Sequence, residues 1–104
     1  MATNFKNLNS DEFLSEIKSN AKAALLDVRT PAEYRDGNIP GAANIDIMDN
    51  GFLEAIDRLD KSKTYYVYCH SGGRSGHACH VMAQRGFKVA NLNGGISNWN
   101  GQIV

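Results

Sequence analysis

Hydrophobic and polar positions fall in blocks along this chain of 104 residues, and the period of the blocks changes several times. Residues 5–8 read as a short first strand. Phe13, Leu14, Ile17 and Ala21 then recur at helical spacing and leave Asp11, Glu12, Ser15, Glu16 and Lys18 toward water. Asn9 or Ser10 can cap this helix, with Glu12 placed to reach back to Asn9. Residues 23–28 (Ala-Ala-Leu-Leu-Asp-Val) are a nearly continuous apolar run, the pattern of a parallel strand covered on both faces. Thr30, Pro31 and Glu33 open a short helix with a cap, a first-turn proline and a first-turn acid, and Asp36-Gly37 stops it. Ile39-Pro40-Gly41 is turn chemistry with Gly41 expected at positive φ, and residues 42–45 read as another short strand. Phe52, Leu53, Ile56 and Leu59 mark a second amphipathic helix. A strand over 65–69, a helix over about 74–85 and a last strand over 88–92 complete the pattern. Strands alternating with helices predict an α/β fold with a mainly parallel sheet.

Composition narrows the function. The length suits one domain, residues 1–104, with a single core. Eleven basic and eleven acidic side chains cancel, which argues against attraction to nucleic acid or a membrane surface. The sequence shows no signal-like apolar start and no stretch near the roughly 20 residues of a spanning helix. With two cysteines, the expected setting is a reducing cytoplasm without a structural disulfide.

Candidate chemistry concentrates in Tyr65-Tyr-Val-Tyr-Cys-His-Ser-Gly-Gly-Arg-Ser75. A β-favouring run delivers Cys69 to a glycine-rich loop, and a helix begins behind it. Such a loop can turn successive backbone N–H groups inward, and the helix N-terminus adds partial positive charge. A cysteine there should have a depressed pKa, with Arg74 close by. A lone cysteine after an apolar strand is more often core. Gly72, Gly73 and Arg74 reverse that reading, because glycine lets backbone approach an anion and a charged arginine is ill placed beside a purely structural sulfur. Asp27 is the one charge in its apolar run, so it is either satisfied by neighbouring N–H groups and Arg29 or faces a site. In parallel α/β sheets ligands sit outside the carboxyl ends of strands, where Cys69 and Asp27 both fall.

Three stretches carry a family resemblance. Leu26-Asp-Val-Arg-Thr-Pro-Ala-Glu-Tyr34 with Gly37-Asn-Ile-Pro-Gly-Ala42, then Cys69-His-Ser-Gly-Gly-Arg-Ser75, then Gly94-Gly-Ile-Ser-Asn-Trp99 resemble, in order, the signature of a single-domain rhodanese. The resemblance implies a rhodanese-like α/β fold, with a five-stranded mainly parallel sheet and helices on both faces. It implies a sulfurtransferase in which Cys69 takes a sulfane sulfur from a small-molecule donor such as thiosulfate, holds it as a persulfide and passes it to cyanide or a thiol. By position, the backbone amides of His70, Ser71, Gly72, Gly73, Arg74 and Ser75 would stabilise thiolate and persulfide, with electrostatic support from Arg74. Asp27, Arg29 and Glu33 match the first charged motif and are expected to brace the loop. No metal or organic cofactor is implied. Two positions depart from the pattern: Asn38 stands where many members have His, and Ser71 where some thiosulfate-using relatives carry a basic residue.

Other readings make different demands. A phosphatase or arsenate reductase of related fold uses Cys-x5-Arg, whereas Cys69 and Arg74 give the shorter Cys-x4-Arg. A docking module that has lost catalysis would not need the intact Cys69 and Arg74. A persulfide relay with a partner protein predicts exposed apolar surface around the loop, and free thiosulfate predicts a small, closed, basic pocket. Metal binding by Cys69, His77, Cys79 and His80 fits no common zinc spacing: Cys79 falls on the apolar helix face and both histidines on the other. Trp99 is expected to be a core anchor near the chain end rather than a stacking platform.

Overall fold

The computed structural model describes residues 5–104. Its elements, in chain order, are β1 (Lys6–Leu8), α1 (Ser10–Ser19), β2 (Ala23–Asp27), α2 (Pro31–Asp36), β3 (Ala43–Asn44), α3 (Phe52–Asp57), β4 (Thr64–Tyr68), α4 (Gly73–Gln84) and β5 (Lys88–Leu92), followed by a 3-10 turn at Ile96–Asn98. The strands form one sheet in the order β1-β5-β4-β2-β3, and every pairing is parallel.

Side chains leave a strand on alternate faces, so one strand can feed two cores. In and just after β4, Tyr65, Val67 and Cys69 enter the layer that holds Ile56 of α3 and Ala78, Cys79 and Met82 of α4. Tyr66 and Tyr68 enter the opposite layer with Phe13 of α1, Leu8, Ala90 and Leu92. Helices therefore cover both faces, which explains why the central strands are apolar throughout rather than alternating. Trp99 joins the second layer, edge-on to Phe13 at 6.0 Å, and its indole N–H donates to the Gln102 carbonyl at 3.1 Å. No helix among the described residues is long and apolar enough to cross a membrane.

Local chemistry sets the helix starts. The Asn9 side chain accepts from the Glu12 N–H at 2.8 Å while the Glu12 carboxylate accepts from the Asn9 N–H at 2.9 Å. The same reciprocal box joins Thr30 and Glu33, with Pro31 in the first turn. Each such cap stabilises by about 1 kcal/mol. Gly41 sits at φ 86°, as its turn requires.

Tertiary context shortens three elements. α1 stops at Ser19, because the Asn20 side chain accepts from the Lys22 N–H at 2.9 Å and turns the chain before Ala21 can join the helical face. β3 keeps only Ala43 and Asn44; the Asn44 amide donates to the Asp27 and Arg29 carbonyls at 3.0 and 2.9 Å. α3 ends at Asp57, leaving Leu59 beyond it. Within α3 only Phe52 and Ile56 are buried; Leu53, counted with the apolar face from its spacing, is 46% exposed.

Candidate active site

β4 carries the chain through the middle of the sheet and ends at Tyr68, so Cys69 leaves the sheet at its carboxyl edge. The chain then bends tightly. Gly72 adopts φ 104°, and a side chain there would press on the Gly94 backbone nitrogen at 3.2 Å. Helix α4 begins at Gly73, one residue ahead of the sequence expectation. The bend folds the loop around the sulfur: the Gly72 N–H donates to Cys69 Sγ at 3.0 Å and the Ser75 hydroxyl donates at 3.3 Å. Cys69 is 1% exposed and Ser75 fully buried. Burial opposes ionisation of the thiol, yet the Ser75 hydroxyl and the backbone N–H groups of Ser75, Gly72 and Ser71 outweigh it. Together they bring the Cys69 pKa below its ordinary value.

The loop's amides can face inward only if its carbonyls face elsewhere. The chain near its C-terminal end receives them: the Ile96 N–H donates to the Cys69 carbonyl at 2.9 Å and the Ser97 N–H to the His70 carbonyl at 3.1 Å. Gly95, at φ 65°, makes this approach possible. A Cβ there would lie 2.6 Å from the Cys69 carbonyl oxygen and closer still to that of His70. These partners of the cysteine loop were quoted in the sequence only as part of the third motif. The signal that could have assigned them is the adjacent pair Gly94-Gly95.

The charged residues separate into two pairs. Arg74 turns to Glu33 of α2 in a bidentate pair at 2.8 and 2.9 Å. The Arg74 guanidinium, opposed by burial and aided by the Thr30 N–H, lowers the Glu33 carboxyl from its ordinary 4.5 to about 2. Glu33 in turn raises Arg74, with smaller pulls from Cys69 and Asp46. The electrostatic support for the sulfur expected from Arg74 is therefore a through-space attraction to Cys69 and not a hydrogen bond. The guanidinium's hydrogen bonds go to Glu33, and the bonds to Sγ come from the Ser75 hydroxyl and the Gly72 amide.

Asp27 and Arg29 form the other pair, at 2.6 Å and almost wholly buried. Arg29 also donates to the Gly37 carbonyl at 2.7 Å and lies over the Tyr68 ring, 5.6 Å from its centre. Burial alone would lower Arg29, but the Asp27 carboxylate overrides it and raises it. Tyr68 is pushed up, chiefly by burial, and its oxygen accepts from the Ile39 N–H at 3.0 Å. Asp27 and Arg29 thus contact one another, the chain that follows α2 and Tyr68 at the end of β4, and their side-chain hydrogen bonds do not reach residues 70–75. Of the three charged residues expected to brace that loop, Glu33 alone touches it.

His70 and Ser71 are exposed on the loop, and His80 is exposed on α4. Cys79 is buried in the core, where burial pushes its thiol up to about 12. Beside the loop lies a groove of about 670 Å³ that the sequence did not reveal, lined by the apolar Ile47, Met48, Phe52, Leu53 and Val81 and the polar Asp49, Asn50 and His77, and bounded at the loop by Gly73 and Arg74.

With this geometry in view, the comparisons with known proteins are informative. Residues 9–102 match the Rhodanese-like domain family. The chain is 34% identical to "Putative sulfurtransferase YtwF" of Bacillus subtilis, over 93% of this chain and 92% of that protein. It is 32% identical to "Thiosulfate sulfurtransferase PspE" of Escherichia coli, over 70% of each. The structure of a rhodanese-related protein from Thermoplasma volcanium superposes with a TM-score of 0.85 at 30% identity, covering 96% of this chain and 98% of that one.

Proposed function

The chain belongs to the rhodanese-like domain family, and on that premise we propose that it transfers sulfane sulfur through a persulfide on Cys69. The observation that carries this reading is the bonding around Sγ, where an amide at 3.0 Å and a hydroxyl at 3.3 Å favour the thiolate in a buried setting. In the first half-reaction the Cys69 thiolate attacks the outer sulfur of a thiosulfate- or persulfide-type donor. The S–S bond to the rest of the donor breaks, and its electron pair leaves with sulfite, a sulfinate or a thiolate. The persulfide's outer sulfur carries the negative charge, and the loop amides from His70 to Ser75 stabilise it there. In the second half-reaction a thiol or cyanide attacks that sulfur and Cys69 departs as thiolate. A lowered pKa makes Cys69 a better leaving group, so the same hydrogen bonds serve both halves of a ping-pong cycle.

The phosphatase reading fares worse on geometry. Cys69 to Arg74 encloses a loop one residue shorter than Cys-x5-Arg, and the arginine is held by Glu33 rather than over the loop. Both cysteines are free thiols, and regenerating a thiolate each turnover suits a reducing compartment such as the cytoplasm.

Intact-protein mass spectrometry after incubation with excess thiosulfate or an alkyl persulfide tests the reading. A gain of one sulfur atom on Cys69, removed by cyanide with thiocyanate formed, is the expected result. Cys69→Ser should abolish the adduct with the fold intact. An adduct that persists in Cys69→Ser overturns the assignment.

A further inference from the structure

A loop of this kind has two ways to face the sulfur. A trans peptide is planar, with its C=O and its N–H pointing in opposite directions, so the side the carbonyl takes decides the side left for the amide. In the peptide joining Cys69 to His70 the carbonyl is held by the Ile96 N–H at 2.9 Å. In the peptide joining His70 to Ser71 it is held by the Ser97 N–H at 3.1 Å. Fixing the His70 carbonyl on Ser97 therefore fixes the Ser71 N–H on the opposite side, and Ser71 is one of the backbone donors that favour the Cys69 thiolate. Turned the other way, the same peptide would set a carbonyl oxygen against a negative sulfur.

The chain that holds these carbonyls is shaped for close approach. Gly95 is buried at φ 65° and ψ −163°, a combination essentially reserved for glycine. A Cβ there would fall 2.6 Å from the Cys69 carbonyl oxygen and closer still to the His70 carbonyl. A Cβ on Gly72 would lie 3.2 Å from the Gly94 nitrogen, so loop and segment meet at glycine on both sides. The segment is also tied to the body of the fold. Trp99 packs edge-on to Phe13, the Asn100 N–H donates to the Ser10 hydroxyl at 2.9 Å, and Val104 and Asn38 exchange two main-chain hydrogen bonds at 2.9 Å.

We infer that Gly95, Ile96 and Ser97 are positioning residues for the reaction at Cys69: their backbone holds the Cys69 and His70 carbonyls away from the sulfur, which turns the Ser71 N–H toward it. The inference rests on the sulfur-transfer reading above and deepens it, by placing part of the control of the thiolate outside the cysteine loop. The hydrogen bonds to the two carbonyls come from main-chain N–H groups, so the side chains at 96 and 97 are not what the effect depends on. The same control acts in both half-reactions, because the thiolate that attacks the donor is also the group that departs from the persulfide.

Gly95→Ala would push a methyl group into two carbonyls and report on folding as much as on reactivity. A cleaner variant replaces the amide between Ile96 and Ser97 by an ester, which removes the Ser97 N–H and keeps every side chain. A synthetic peptide of residues 79–104, joined to residues 1–78 at the native Cys79, supplies it in the full chain. The control, made the same way, carries its ester between Ile103 and Val104 and loses the Val104 N–H bond to Asn38 at 2.9 Å. Each variant loses one main-chain hydrogen bond near the chain end, so their urea midpoints should fall by similar amounts. Only the Ser97 ester should move the pH profile of Cys69 alkylation by iodoacetamide, upward by about one unit, the scale of one hydrogen bond to a charged group. Loading from thiosulfate at a fixed pH below that midpoint should slow about threefold in the same variant. The roughly tenfold loss of thiolate is offset in part by the greater nucleophilicity of a more basic sulfur.

An alkylation profile that the Ser97 ester leaves in place overturns the inference. An equal shift in the control overturns it too, because the chain end would then act by loosening the fold as a whole. So does a Ser97 ester that no longer folds while the control folds, since the segment would then serve the fold and not the thiol. Alkylation involves no sulfur donor, so the two readings fail separately. A native protein that gains no sulfur while the profile moves as expected removes the transfer reading and leaves the positioning of the thiolate standing.

Discussion

The two arginine–carboxylate pairs on the cysteine-bearing side of this protein have the same chemistry and opposite settings. In Asp27–Arg29 the side chains are 0% and 6% exposed and the contact is 2.6 Å; in Glu33–Arg74 they are 35% and 32% exposed with contacts near 2.8 Å. A buried pair has lost most of its hydration, so removing one partner strands the other charge in a poor solvent. A pair one-third exposed keeps much of its hydration and contributes little to stability. The first is built as a brace within the fold. It ties the end of β2 to the Gly37 carbonyl and so fixes the chain beyond α2, the helix that carries Glu33. The second is cheap to rearrange, which is what a group beside a substrate needs.

The sharpest way to break this comparison is Asp27→Ala. It leaves the Arg29 guanidinium buried without its carboxylate, and the expected loss is about 3–5 kcal/mol of unfolding free energy in a urea titration. A loss under about 1 kcal/mol would put the buried pair in the same class as the exposed one. Replacing both Asp27 and Arg29 by apolar residues of similar volume should cost far less than Asp27→Ala alone. The single change strands a charge and the double change does not.

A smaller effect separates Arg74 from the sulfur. Ser75→Ala removes a hydroxyl that donates to Sγ at 3.3 Å and favours the thiolate, so the Cys69 pKa rises. Alkylation by iodoacetamide at neutral pH should slow several-fold and its pH profile should move upward. Arg74→Ala should move that profile less, because the guanidinium's hydrogen bonds are spent on Glu33. A larger shift for Arg74→Ala would mean that charge, not hydrogen bonding, holds the thiolate.

What could be foreseen from the chain followed the range of each interaction. The capping boxes at Asn9 and Thr30 span three residues each, and the glycine loop after Cys69 lies within six, so local sequence displayed them. The parallel pairing agrees with the alternation of strands and helices, whereas that alternation carries no strand order. The bond from Arg74 to Glu33 crosses 41 residues, and nothing in either neighbourhood announces it. The clamp at the Cys69 and His70 carbonyls is nearly as hidden, because its donors are main-chain N–H groups of Ile96 and Ser97 and only the pair Gly94-Gly95 hints at it. Leu53 misled for another reason. Helical spacing marked it as core, but α3 is only 6 residues long and its buried face is satisfied by Phe52 and Ile56. The groove that results is a property of how α3, α4 and the chain between β3 and α3 meet, which no single period encodes.

The smallest expected effect is also the most direct measure of the exposed pair. The folded-state pKa of Glu33 is depressed from 4.5 to about 2, so the carboxylate favours the folded protein while it is ionised. That contribution is fully present above the ordinary value of 4.5 and disappears as pH falls toward about 2. Because both side chains are about one-third exposed, solvent screening reduces it to under about 1 kcal/mol. Unfolding curves of the native protein and Glu33→Gln should therefore differ slightly at pH 6 and converge by pH 2–3, and the difference at pH 6 should shrink in high salt. A gap that stays constant across that range would trace to the neutral hydrogen bonds of Thr30 rather than to charge, and the contrast with Asp27–Arg29 would then lie in helix capping instead of hydration.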